Sequence, residues 1–147
     1  MKQWFPRHAS PDLLYEDHLV YAALAAKPFV RGHVVVVWKR RVRDLHLLSR
    51  RQYEHLMDIV DLVRNAMLRV LRVKKVYLLY MDEANHVHWH LVPRYVEKKQ
   101  GLEFLCALPR TASQDMRLSQ ALREQIRQHD LKNVGRKAHS KGNRRKR

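Results

Sequence analysis

Three histidines at alternate positions, His86, His88 and His90, stand in the run His86-Val87-His88-Trp89-His90-Leu91-Val92-Pro93-Arg94. In a strand, residues two apart share a face. The three imidazoles therefore project from one side, while Val87, Trp89 and Leu91 project from the other toward a core. His accounts for 10 of the 147 residues, and random placement at that frequency gives only roughly 0.05 such patterns in a chain of this length. The spacing bears on the chemistry. A strand rises about 3.3 Å per residue, which sets the backbones of His86 and His90 about 13 Å apart, whereas zinc holds nitrogens at about 2.0 Å. Two of the three could share a metal with ligands from elsewhere; all three on one ion would strain the strand. A row suits the spacing better: a central imidazole as nucleophile, flanked by imidazoles that orient it, hydrogen-bond or pass protons.

Such a row needs a rigid support, and the surrounding sequence supplies one. His33–Trp38 (HVVVVW) is a β-branched run opened by Gly32 and reads as a strand. Val73–Met81 and His86–Val92 read as two more, the latter ended by Pro93, and Asp12–Tyr15 pairs with His18–Ala25 across a Glu16-Asp17 turn. Between them, Ser49 and Gln52 form a capping-box pattern ahead of Tyr53, Leu56, Met57, Val60, Val63, Met67, Val70 and Leu71 at helical spacing. Arg50, Arg51, Asp58, Asp61, Arg64 and Arg69 form the wet side of this helix. A second helix spans about Ser113 to His129, with Leu118, Leu122 and Ile126 four apart and facing its own domain or a partner subunit. The order of elements predicts an α+β fold, an antiparallel sheet of about five strands covered by a long helix and a C-terminal helix.

Composition narrows the function. Hydrophobic residues make up 46% of the chain, enough for a core, which excludes wholesale disorder. The formal charge is +16, which points to anionic partners such as nucleotides, nucleic acid or phosphate groups. Cys106 is the only cysteine. It reads as a small hydrophobe, leaves no intramolecular disulfide or Cys-based zinc site, and suits a reducing, cytoplasmic compartment. Only 4 glycines are present, with no GxGxxG or GxxxxGK[ST] phosphate loop. No apolar run reaches the length of a membrane span, and Met1–Ser10 carries no apolar signal core. His8, His18, His46, His55, His129 and His139 share no spacing and read as surface residues. Trp38 and Trp89 read as core, with base stacking as the sharper alternative.

His86–Val92 resembles the alternating signature of the histidine triad (HIT) family, and Pro93-Arg94 is common there too. The run from Lys27 through Gly32-His33 to Val37 resembles the family's glycine-histidine strand, and Asp44–Ser49 with the helix behind it resembles its second hallmark. The match covers about Leu14 to Tyr95. The resemblance implies hydrolases or transferases acting on nucleotidyl compounds, often as homodimers, with no metal and no cofactor required. It makes His88 the nucleophile that attacks an α-phosphorus and forms a covalent nucleotidyl-histidine, with His86 and His90 flanking it. A backbone carbonyl near His90 would take the Nδ1 proton, and His33 would support the row from a neighbouring strand. Met81-Asp82-Glu83-Ala84-Asn85 stands where relatives carry a Gly-Gln-(Ser/Thr) phosphate-holding stretch, which leaves Asn85 as the nearest amide for substrate binding. Ala25 stands where relatives place a ribose-hydroxyl partner, and Lys39 or Arg40 where they place Pro. These departures mark a divergent member. An alternative keeps the chemistry but moves it to adenylated or capped nucleic-acid ends; another is a non-catalytic nucleic-acid-binding protein.

The charge divides the chain. Lys132–Arg147 holds eight Lys and Arg residues and no Asp or Glu, half of the total charge. With only Val134 and Ala138 apolar, it reads as a disordered basic tail behind a catalytic domain over residues 1–110 and a packed helix over 111–131. Deleting Lys132–Arg147 is therefore expected to leave the thermal transition and small-nucleotide turnover in place while weakening polyanion binding. If half the tail charges engage duplex, a salt series should give the full-length chain a slope of log K against log salt steeper by about 3 to 4 than that of the truncated chain. Equal slopes would place the polyanion surface on the folded domain.

Overall fold

The computed structural model describes residues 11–81, 83–108 and 114–142, with residues 131–142 described as backbone. Five strands, β1 (Leu13–Glu16), β2 (Val20–Leu24), β3 (Val34–Trp38), β4 (Lys75–Tyr80) and β5 (His88–Arg94), form one sheet in the order β1-β2-β3-β5-β4. Every neighbouring pair is antiparallel. Helix α1 spans Arg50–Leu71, α2 Gly101–Cys106 and α3 Met116–Gly142, and a short 3₁₀ turn covers Leu45–Leu47. The α+β fold read from the order of elements is the one observed.

The two faces of the sheet have different jobs. Alternation sends Ala22, Leu24, Val34, Val36, Trp38, Val76, Val87 and Leu91 to one face, where they bury Leu56, Val60, Val63 and Met67 of α1 and Leu118, Leu122 and Ile126 of α3. Each fully buried aliphatic side chain there contributes about 1.5–3 kcal/mol. The same alternation sends Tyr21, Ala23, Ala25, Val35 and Val37 to the opposite face, the face that also carries His88 and His90. Strands β2 and β3 are buried on both faces, which is why the sequence there is a continuous apolar run rather than an alternating one. Trp38 is core and Trp89 lies against it.

Local chemistry sets the element boundaries. The Ser49 side chain accepts from the Gln52 N–H, and the Gln52 side chain accepts from the Ser49 N–H, so both halves of the capping box are made. Helix α1 ends at Arg72, whose backbone is left-handed with φ 54°. Tyr53, in the first turn, is 40% exposed, while Ile59, Leu62 and Ala66 join the buried stripe. Asp17 closes the β1–β2 turn by accepting from the N–H groups of Leu19 and Val20. It also meets His55 Nε2 at 2.7 Å, so His55 is a half-buried partner rather than a bare surface residue.

The structure departs from the sequence reading at several ends. Pro93 lies inside β5, opposite Val76, rather than ending it. The β3–β5 register stops at Val34↔Leu91, so beyond that pair only β4 flanks the strand and a missing N–H is tolerated. Helix α2 has no sequence signature, since its six residues bury only Phe104. Helix α3 begins at Met116 and its backbone continues to Gly142, past both His129 and the boundary drawn at 131. Extending an already packed helix needs no new nucleus, and Lys, Arg and Ala are good helix formers. Residues 143–147 of the basic segment, with His8 and Asp82, lie outside the described residues.

Candidate active site

The β3–β5 register places Val35 opposite His90 and Val37 opposite His88, and His33 precedes β3 on the same face. His33, His88 and His90 therefore meet at a cavity of about 310 Å³, whose walls include Lys27, Phe29 and Glu83. His33 and His88 are buried, 1% and 4% exposed. His86 is not in this row. It precedes β5, does not line the cavity, and points its Nε2 at the Trp38 carbonyl at 2.6 Å. Strand β5 starts only at His88, and three residues earlier Asn85 is left-handed with φ 49°, a conformation Asn tolerates. Asn85 itself is exposed and does not line the cavity. The expected amide substitute is thus held away from it, and Met81, Glu83 and Ala84 form that wall instead.

Hydrogen bonding fixes where each proton sits. The Phe29 N–H lies 3.1 Å from His33 Nδ1. A backbone N–H can only donate, so His33 Nδ1 is bare and its proton is on Nε2. That nitrogen faces His90 Nδ1 at 3.0 Å, so His90 accepts there and carries its own proton on Nε2. His90 Nε2 faces His88 Nε2 at 2.9 Å, which makes His88 Nε2 the acceptor. The His88 proton is then on Nδ1, and the His86 carbonyl receives it at 2.7 Å. The carbonyl holding Nδ1 is that of His86, not one near His90. His86 is two residues before His88, just ahead of β5, and its carbonyl faces the Nδ1 edge of the His88 ring. A donor at one end and an acceptor at the other leave one consistent assignment, with one proton on each ring.

Burial keeps the rings neutral. It pushes His33 down to about 3, helped by His90, and His90 down to about 4, helped by His88. His88 is also lowered by burial, against the opposing pull of the His86 carbonyl and the Glu83 carboxylate. Phe29 stacks on His33 with centroids 4.6 Å apart, and on His90 at 5.7 Å, which supplies part of that apolar surround. A neutral imidazole at a cavity wall, with an unprotonated nitrogen that a small rotation of its hydrogen-bond donor would free, can act as a nucleophile. Among the described residues no cluster of three ligating side chains could hold a metal ion.

Two contributors were invisible in the sequence pattern. Phe29 lies four residues before His33, and an aromatic so close to a Gly-His pair is the only local sign of it. Gln114 gives no such sign. Its Oε1 accepts from the Gly32 N–H and its Nε2 donates to the His33 carbonyl, both at 2.9 Å. Gly32 has φ 82°, and a Cβ there would meet Leu71 Cδ1 at 2.9 Å and the Tyr95 hydroxyl at 3.1 Å, so glycine is required at this turn.

Comparison with known proteins bears on the family and the fold. The family model for the HIT domain matches residues 7–97. Among curated proteins none matches the sequence. Solved structures with the same fold include a Zn-bound histidine triad family protein from Mycobacterium smegmatis, at 24% identity and TM-score 0.66, covering 84% of this chain and 88% of that one. A hypothetical histidine triad nucleotide-binding protein from Sulfolobus tokodaii matches at 21% identity and TM-score 0.63, covering 80% and 84%. Plasmodium falciparum diadenosine triphosphate hydrolase matches at 12% identity and TM-score 0.65, covering 85% and 82%.

The neutral rings carry a pH signature. Their pKa values lie below those of the unfolded chain, so their contribution to stability is complete above about pH 6.5 and falls as the unfolded state takes up protons below it. For His33 and His90 together the loss by pH 5 is on the order of 3 kcal/mol. Thermal melts should show Tm falling by several degrees between pH 6.5 and pH 5, a window above the range where the carboxylates titrate. A flat Tm across that window would contradict the neutral assignment.

Proposed function

The chain belongs to the HIT family, and we propose that it is a metal-independent nucleotide hydrolase or nucleotidyltransferase that uses His88 Nε2 as its nucleophile. The observation that supports this reading is the proton assignment, which leaves a bare nitrogen on a buried, neutral ring at the wall of a substrate-sized cavity. The substrate class is a nucleotidyl compound, NMP–X, such as AMP–X or a dinucleoside polyphosphate.

The Nε2 lone pair forms a bond to the α-phosphorus as the bond to X breaks, and X leaves with the electron pair. His90 Nε2–H, no longer turned to His88, donates to the phosphoryl oxygen on which charge builds. The ring of the resulting nucleotidyl-His88 keeps its Nδ1 proton, and the His86 carbonyl stabilises the positive charge that ring now carries. Water then adds to phosphorus, the N–P bond breaks, and its electrons return to Nε2. The nucleotide leaves and a proton passes to solvent; a hydroxyl acceptor in place of water gives transfer instead of hydrolysis.

Two partner readings accompany the chemistry. Strand β4 is at the sheet edge, Leu78 on it is 37% exposed, and an apolar cavity lies between β4 and Leu105 and Leu108. A homodimer would cover this edge. The charge of residues 132–147 favours a second substrate reading, nucleotidyl groups on nucleic-acid ends, which a preference for polymer-linked over free substrate would single out.

His88→Ala is expected to abolish turnover of AMP–X compounds without unfolding the chain, and His90→Ala to lower it by about 10²–10⁴-fold. His86→Ala should cost less than either, because the group that contacts His88 is its backbone carbonyl. Near-parental turnover in the His88 variant on every substrate the parent accepts would end the assignment.

A further inference from the structure

We propose that Gln114 is a positioning residue through which helix α3 sets the proton arrangement of the His33–His90–His88 row. The inference rests on the reading of that row as an active site, but its central observation does not depend on turnover. Gln114 and α3 lie beyond residues 7–97, the part of the chain that the family model matches.

The start of α3 holds three successive residues of the turn that delivers His33. Asp115 Oδ2 binds the Arg31 guanidinium at 3.0 Å. The Gln114 amide spans the next two residues, accepting from the Gly32 N–H and donating to the His33 carbonyl. Reversing the amide would set N–H against N–H and oxygen against oxygen, so its orientation is fixed by its partners. Asp115 is itself anchored, because its Oδ1 accepts from the Leu118 N–H at 2.7 Å. From the other side Tyr95 donates to the Arg31 carbonyl at 2.8 Å. The His33 carbonyl also accepts from the Ala25 N–H at 2.9 Å and the His33 N–H donates to the Val30 carbonyl at 3.1 Å, and within this frame Gln114 is the side chain that bridges His33 and the buried, left-handed glycine before it.

That grip matters because His33 must satisfy two contacts at once. Its Nδ1 meets the Phe29 N–H and its Nε2 meets His90 Nδ1. If the His33 backbone shifts, the Phe29 contact lengthens and either ring nitrogen can carry the proton. A His33 protonated on Nδ1 no longer donates to His90. His90 can then hold its proton on Nδ1 and turn a bare Nε2 toward the bare Nε2 of His88. The oriented donor beside the nucleophile is lost while every side chain of the row is still present.

The test compares Gln114→Ala and Gln114→Glu with the full-length parent. Glu keeps an acceptor for the Gly32 N–H but has no N–H for the His33 carbonyl. Nitrogen-15 spectra of the histidine rings at pH 7.5 should show the parent with His33 and His90 protonated on Nε2 and His88 on Nδ1. Both variants should show His33 and His90 as mixtures of the two forms. On an AMP–X substrate, kcat should fall roughly ten- to hundredfold while KM changes by less than about threefold. Leu122→Ala, which removes a buried α3 side chain away from the site, should lower Tm and leave the ring protons where they are in the parent. Parental ring protonation in the Gln114 variants would overturn the proposal whatever their stability, and so would equal scrambling in Leu122→Ala. Should Gln114→Ala fail to fold, Gln114→Glu decides alone. Should the parent turn over no nucleotide, the enzymatic reading fails and the ring spectra still decide the role of Gln114.

Discussion

One chain of hydrogen bonds governs this site. It starts at the Phe29 N–H, which can only donate, and ends at the His86 carbonyl, which can only accept. Three imidazoles lie between, and each must accept on one nitrogen and donate from the other. The proton positions are therefore dictated by two backbone groups rather than chosen by the rings. A second proton on any ring would place two N–H groups face to face, so the network itself opposes protonation. Burial acts in the same direction, and His33 and His90 lie far below the ordinary imidazole range.

Much of the fold can be understood as support for that chain. The antiparallel β3–β5 register brings His33 beside His90, although the two are far apart in sequence. Alternation along β5 gives His88 and His90 one face and Leu91 the other, so the same strand carries the site and a wall of the core. Helices α1 and α3 cover only the core face, which leaves the other for the cavity. The turn at Gly32 ties the two halves together, since it aims His33 while pressing against Leu71 at the end of α1.

What the sequence made legible was local and periodic. The period of two in β5 identified which histidines share a face, and Ser49 with Gln52 marked where α1 begins. His86 broke that pattern: it lies before the first residue of β5, next to the left-handed Asn85, and its ring turns to the Trp38 carbonyl, a backbone partner that the alternation of residue types does not announce. Asn85 is exposed and away from the cavity walls, a placement that residue type alone does not reveal. Helix α2 was missed because six residues with one buried side chain have no measurable period. The role of Gln114 was out of reach for a different reason: the amide recognises backbone atoms of Gly32 and His33, and backbone atoms leave no mark in a sequence. The far end of α3 could not be placed from composition, because a basic composition describes what a segment cannot bury and says little about whether an existing helix will continue through it.

The proposed chemistry requires His88 Nε2 to be a nucleophile and not merely a hydrogen-bond acceptor. The direct measurement is the intact mass of the protein after brief mixing with an adenosine phosphoramidate or a dinucleoside polyphosphate, quenched in denaturant at alkaline pH, where a phosphorus–nitrogen bond to histidine survives. The expected result is a gain of one nucleotidyl group, located on His88 by peptide mapping. Steady turnover of the same substrate with no adduct at any mixing time, or an adduct mapped to another residue, would contradict it.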